Sequence, residues 1–162
     1  SLHSLPVIFF VENNLYSVYT SLHDRQPDRS LTDYALAHAI PSEQLDGNDV
    51  EAVAQSMTRH VERARGGKGP ALLVADTYRW REHCGPNYDN DLGYRSEKEF
   101  EKWRCQCPIE AYRAQLVDRG ELTPEMEKDM IIEIQMEIDS AFDAARSAPF
   151  PDPETAGLNV YA

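Results

Sequence analysis

Two short apolar runs bracket one long amphipathic stretch, and this arrangement restricts the fold more than any other feature. Val7-Ile8-Phe9-Phe10-Val11 is β-branched and aromatic with no polar alternation. That composition suits a strand covered on both faces of a parallel sheet. Ala71-Leu72-Leu73-Val74-Ala75 reads the same way. Between them, Val50, Val53, Ala54, Met57, Val61 and Ala64 recur at helical spacing, and Gly66-Gly67 follows as a stop. Asn48, with Glu51 three residues on, fits a helix N-cap and its reaching acid. Leu45-Asp46-Gly47 fits a short extended segment ending in a turn. Parallel strands need a crossover, usually a helix. The pattern therefore predicts an α/β fold, a parallel sheet with helices on its faces.

Glu12-Asn13-Asn14 reads as the turn that ends the first strand. Residues 17 to 30 have no clear period and read as a loop; Leu31 to Ile40 reads as a short helix closed by Pro41. A long polar loop, 77 to 95, leaves the C-terminal end of the Ala71–Ala75 strand. Ligands sit at that edge in open parallel sheets, and loops of this length are usually functional. From 96 onward the chain reads as helical. Ser96 with Glu99 forms a capping box ahead of Phe100 and Trp103. Pro108 opens a second helix, with Ile109, Tyr112 and Leu116 on one side and Gly120 after it. Thr123-Pro124 opens a third, in which Met126, Met130, Ile134, Ile138 and Phe142 recur every four residues. Pro149, Pro151 and Pro153 end it. The expected division is 1–95 for the α/β part and 96–162 for a helical extension.

Composition narrows the function classes. With 16 Lys plus Arg against 28 Asp plus Glu, the net charge is −12, which repels phosphate backbones and anionic lipid. No nucleic-acid partner and no membrane association are expected. No apolar run approaches the roughly 18 residues of a membrane span. Three cysteines, Cys84, Cys105 and Cys107, are an odd number, which suits a reducing compartment such as the cytoplasm. The first residues lack the positive flank and apolar core of a signal peptide. Residue 1 is Ser, and a strand apolar on both faces begins almost at once; the expectation is a processed chain, a fragment or one piece of a split protein.

Few residues could carry chemistry. At the end of the first strand, the Asn14 side-chain oxygen and a backbone carbonyl two residues on could face one hard cation such as magnesium. The plainer reading is a turn, for which Asn-Asn is common. His83 lies mid-loop with Arg79 and Arg81 upstream, where an imidazole can donate to phosphate or move a proton; the alternative is a solvent-exposed loop histidine. Cys105-x-Cys107 lacks the spacing and second pair of a zinc site. Asp46-Gly47-Asn48-Asp49 resembles the start of a calcium loop, but the twelfth place is Met57.

In order along the chain come Leu5-Pro6-Val7-Ile8-Phe9-Phe10-Val11-Glu12-Asn13-Asn14-Leu15-Tyr16-Ser17-Val18-Tyr19-Thr20, Leu45-Asp46-Gly47-Asn48-Asp49 and Gly67-Lys68-Gly69-Pro70. Thr77-Tyr78-Arg79, His83, Tyr94-Arg95, Pro149-Phe150-Pro151-Asp152-Pro153 and Val160-Tyr161-Ala162 follow. This succession resembles the later part of the alpha subunits of thiamine-diphosphate-dependent 2-oxo-acid dehydrogenases, the pyruvate, branched-chain and acetoin enzymes. The resemblance implies the back half of a parallel-sheet thiamine-diphosphate-binding domain with a C-terminal helical extension. It implies decarboxylation of a small 2-oxo acid and transfer of the acyl unit to a lipoyl group. It places thiamine diphosphate at Asn14, Tyr16, Ser17, Arg79 and His83. Magnesium would be held by the Asn14 side chain and the Tyr16 carbonyl, and His83 would be the catalytic residue.

Three departures follow. The family motif opens with Gly-Asp-Gly, whose acid is the charged magnesium ligand, and these 162 residues hold no such segment. A chain carrying that half, a beta subunit and a lipoyl acyltransferase are therefore the expected partners, and no activity is expected from the chain alone. Arg81-Glu82-His83-Cys84 stands where the pyruvate enzymes carry His-Gly-His-Ser, so the regulatory phosphoserine position is Cys84. The loop from His83 to Tyr94 is slightly longer than in the family. The alternatives are a subunit of a carboligase or acyloin-type synthase, and a non-catalytic piece that completes an interface.

Overall fold

A computed structural model describes residues 1–158. The expected terminal match at Val160-Tyr161-Ala162 lies outside the described residues. The chain forms two compact units, Ser1–Gln115 and a second from Leu116 onward. The sequence reading divides the chain at 95/96; the compact unit runs further because Phe100 and Trp103 pack on the loop that precedes them.

The first unit is α/β. Its sheet holds β1 (Ile8–Asn13), β4 (Ser42–Asp46) and β5 (Ala71–Asp76) in the order β1-β5-β4, all parallel. Leu73 and Val74 of the central β5 are fully buried. The strand β1 sits at an edge, and Phe9 and Phe10 remain 50% and 40% exposed. Its two apolar faces are therefore only partly covered by the described residues, whereas the composition predicts a strand covered on both faces. The pairing aligns Asn13 and Asp46 with Asp76, so three strands end in one row.

The crossover helix α3 (Val50–Arg65) joins β4 to β5 as the periodicity predicts. Its N-cap is Asp49, whose carboxylate accepts from the Ala52 amide. The expected cap, Asn48, instead accepts from the Thr77 hydroxyl at 2.9 Å and so ties the start of α3 to the end of β5. Its buried face includes Ser56, which the apolar pattern passes over. Ser56 Oγ, Arg59 Nη2 and His60 Nε2 all reach the Glu43 carboxylate of β4, at 2.7, 3.0 and 3.2 Å.

Residues 17 to 30 are more ordered than a loop. A hairpin, β2 (Tyr16–Ser17) with β3 (Thr20–Ser21), leads into the single turn α1 (Leu22–Arg25). The Leu31–Ile40 helix is reduced to one turn, α2 (Asp33–Leu36), with Ala39 left-handed at φ 52°. After the 77–95 loop come α4 (Glu97–Arg104) and α5 (Pro108–Asp118).

The second unit is dominated by α6 (Pro124–Ser147), opened by a Thr123 cap and Pro124. The whole Met126–Phe142 stripe is exposed. Among the described residues no helix is long and apolar enough to cross a membrane.

Candidate functional site

Three strand ends converge on one cleft of about 520 Å³. Asn14 follows β1, Gly47 follows β4, and Thr77, Tyr78 and Arg79 follow β5; Glu12 and Phe10 complete one wall. This is the carboxyl edge of a parallel sheet, the usual place for a ligand. Gly47 is required there. Its amide donates to the Asp76 carbonyl at 2.7 Å, and a Cβ would come within 2.8 Å of that oxygen.

The turn after β1 is built by its two asparagines. Asn13 Oδ1 accepts from the Leu15 amide at 3.3 Å, and Asn14 Oδ1 accepts from the Tyr16 amide at 3.0 Å. Leu15 between them is left-handed, with φ 71°. Such a backbone costs a non-glycine residue about 1 kcal/mol or more and must be held by its surroundings. The Leu15 carbonyl also accepts from the Leu22 amide at 2.7 Å. The asparagine pair is thus both turn and ligand candidate. An amide oxygen has two lone pairs, so the bond from Tyr16 leaves Asn14 Oδ1 free to meet a cation.

Arg79 ties the loop to this turn. Its Nη2 donates to the Val18 carbonyl at 2.9 Å and to the Tyr94 hydroxyl at 3.2 Å, and its Nη1 lies 3.2 Å from His83 Nδ1. Its buried Nε has no hydrogen-bond partner. The Arg79 side chain lines the cleft, and a guanidinium there suits a phosphate oxygen. Since a guanidinium can only donate, His83 Nδ1 accepts and the ring proton sits on Nε2.

Asn14 and Arg79 therefore share the cleft. Tyr16 joins it through its amide, and His83 through Arg79. Ser17 is exposed on the hairpin and pairs with Thr20. Among the described residues no group of three or more His, Cys, Asp or Glu could hold a metal. What the cleft itself offers is the neutral Asn14 oxygen and one guanidinium, while Tyr16 lines a separate pocket with Leu15 and Glu99; a diphosphate-bound magnesium fits this set only with further ligands from elsewhere.

Several contacts in the site go beyond the roles the sequence reading gives these residues. Tyr78 is buried and stacks on Trp103 at 5.5 Å, and Tyr16 meets Tyr78 and Tyr94 edge-on. Both oxygens of Glu99 accept from the Tyr16 hydroxyl, at 2.9 and 2.8 Å. Burial, then the Glu99 hydrogen bond, push the Tyr16 phenol well above its ordinary value, so it remains a donor. Arg95 meets Asp89 and also donates to the Arg79 and Trp80 carbonyls, holding the loop from beneath. Tyr94-Arg95 does stand among the matched motifs, but no local pattern announces a partner for it. Cys84 is exposed beside His83.

Similarity to known proteins places the chain in a family. The family model of the dehydrogenase E1 component matches residues 1–154. The chain is 35% identical over its full length to the 2-oxoisovalerate dehydrogenase subunit alpha of Bacillus subtilis (strain 168), covering 48% of that protein. It is 37% identical over 94% of its length to the pyruvate dehydrogenase E1 component subunit alpha of Rhizobium meliloti (strain 1021), covering 43% of it. It is also similar to a 3-methyl-2-oxobutanoate dehydrogenase subunit alpha of Mycobacterium tuberculosis, 31% identical over 97% of this chain and 42% of that one. The chain spans less than half the length of these relatives. It belongs to the dehydrogenase E1 component family.

Proposed function

We propose that this member of the dehydrogenase E1 component family forms part of an alpha subunit that decarboxylates a 2-oxo acid and passes on the acyl unit. Thiamine diphosphate, held with magnesium, would supply the nucleophilic carbon and electron sink for that chemistry. The residues of this chain hold and orient. Asn14 Oδ1 and the Tyr16 carbonyl would offer oxygens to the cation, and the Arg79 guanidinium would face the diphosphate. His83 presents Nε2–H as a hydrogen-bond donor. An acidic magnesium ligand would come from a Gly-Asp-Gly segment, which these 162 residues do not hold, and a beta subunit and a lipoyl acyltransferase are the further partners. The three free cysteines suit a cytoplasmic setting.

The observation that carries this reading is the convergence of Asn14, Gly47 and Arg79 on one cleft at three strand ends. The test is calorimetry of thiamine diphosphate binding to the assembled protein, with and without Mg²⁺. Magnesium-dependent binding that Asn14→Ala weakens supports it. Binding indifferent to Mg²⁺ and to Asn14 rules it out and leaves an interface-completing piece.

A further inference from the structure

We infer that Glu99 is a positioning residue for the Asn14–Tyr16 turn: by accepting from the Tyr16 hydroxyl with both oxygens, it fixes the direction of the Tyr16 backbone carbonyl. The inference rests on the reading that this carbonyl is a magnesium ligand.

The first reason is what Glu99 forgoes. It stands at the third position of α4, where a glutamate would ordinarily reach back to the backbone amide of the cap. The cap is half-built: Ser96 Oγ accepts from the Glu99 amide at 3.1 Å. The Glu99 carboxylate goes instead to Tyr16, 83 positions away in the chain.

The second reason is what Tyr16 needs. Its strand is two residues long, and the preceding Leu15 is left-handed. A short strand beside a strained residue has little hold of its own. On the N-terminal side the two asparagine side chains hold the turn. On the other side Arg79 holds the Val18 carbonyl and Leu22 the Leu15 carbonyl, and the side-chain anchor of Tyr16 itself is its ring, which lies edge-on to Tyr78 and Tyr94 and ends on Glu99. A hydrogen bond to a carboxylate is stronger than one between neutral groups. Glu99 is itself well seated, since the next residue, Phe100, is buried and Trp103 stacks on Tyr78. Glu99 does not line the cleft shared by Asn14 and Arg79. Its effect must pass through Tyr16.

The test measures the Mg²⁺ requirement for thiamine diphosphate binding in the assembled protein, by titrating Mg²⁺ at fixed cofactor and following tryptophan fluorescence. Partners that orient a metal ligand typically cost roughly 10–100-fold in metal affinity when removed. Glu99→Ala and Tyr16→Phe should each raise the Mg²⁺ midpoint about tenfold, at the lower end of that range. The double variant should be no worse than either, because the two act through one bond. Glu99→Gln, which still accepts, should restore most of the affinity, and far-UV circular dichroism should be unchanged in Glu99→Gln and Tyr16→Phe. An unchanged midpoint in Glu99→Ala, or additive losses in the double variant, would overturn the inference. Asn14→Ala separates the two levels. If it raises the midpoint while Glu99→Ala does not, the site stands and the Glu99 role falls. If Asn14→Ala has no effect, both fall.

Discussion

The Asp89 carboxylate and the Arg95 guanidinium meet at 2.6 Å, with side chains only 3% and 1% exposed. The same guanidinium donates to the carbonyls of Arg79 and Trp80 and, through Nε, to Asn90 Oδ1. One buried cation thus fastens both ends of the loop that carries Arg79 and His83. Removing one member of a buried pair strands the other charge, at about 3–5 kcal/mol. Asp89→Ala should lower the stability of the assembled protein by about that much, read from the denaturant midpoint. Arg95→Lys should not rescue, since an ammonium cannot serve a carboxylate, an amide and two carbonyls from one planar fork. A loss below about 1 kcal/mol, the range of a surface pair, would show that the pair is not sealed from water.

Stability should fall at acid pH through Glu43. The Ser56 hydroxyl, followed by Arg59 and His60, holds its carboxyl below the ordinary value of 4.5, against the opposing effect of burial. A carboxylate whose folded value is depressed adds stability that is fully present above the unfolded value. That stability is lost as pH falls through the folded one. The loss therefore begins below about pH 4.5 and grows as the carboxylate protonates. Ser56→Ala removes the largest cause. It should cost about 1 kcal/mol at neutral pH, the usual net worth of a hydrogen bond, and flatten the acid limb of a melting-temperature profile. An acid limb identical in wild type and Ser56→Ala would remove Glu43 as its source.

Association follows from what the chain leaves uncovered. Phe9 and Phe10 on β1 are 50% and 40% exposed, and Ile134 and Phe142 on α6 are 57% and 59% exposed. Exposed apolar side chains of this kind, on each unit separately, seek a partner, and the edge position of β1 offers a template for pairing. The 162-residue chain by itself should sediment as dimers or larger species. Ile134→Glu with Ile138→Glu should shift the population toward monomer. A monomer persisting at high concentration in the unmodified chain would count against both surfaces as interfaces.

The βαβ core was legible because periodicity and β-branched runs report backbone geometry directly. The cofactor-side turn was legible only through resemblance. Asn13 and Asn14 look like ordinary turn residues, and they are turn residues as well. The relationships that escaped are those between side chains far apart in sequence. Ser56 looks like a gap in the apolar face of α3, yet it is buried because Glu43 of the neighbouring strand needs a donor. Glu99 fits a capping pattern so well that its carboxylate's true destination is hidden. Asn48 loses the cap to Asp49 because its side chain is already engaged by Thr77. The exposure of β1 could not be read from composition, which gives what a strand requires and not whether this stretch of chain supplies it.

The histidine in the loop can be told apart from the cysteine beside it. Arg79 lies 3.2 Å from His83 Nδ1 and can only donate, so the imidazole keeps its proton on Nε2, turned away from the arginine. Arg79 itself lines the cleft with Asn14, which puts the His83 ring one side chain from the proposed diphosphate. A histidine placed in this way donates from Nε2 to a ligand oxygen, and it can take up and pass on a proton only when the Arg79 contact to Nδ1 opens. Loss of a positioned acid or base typically costs about 10²–10⁴-fold, whereas loss of a loop contact worth about 1 kcal/mol costs near tenfold or less. In the assembled protein, His83→Ala should therefore cut turnover at least a hundredfold with cofactor saturating. Cys84→Ala should leave it within about twofold. The thiol is exposed, and it follows Glu82 and His83 in the chain. His83→Gln supplies a second reading, because its amide can take up the Arg79 bond and order the loop without acting as an acid or base. If His83→Gln restores turnover, the histidine merely orders the loop. If it stays as slow as His83→Ala, the ring nitrogen itself takes part. Should Cys84→Ala be the more damaging change, the reactive group is the thiol, and the assignment of His83 is wrong.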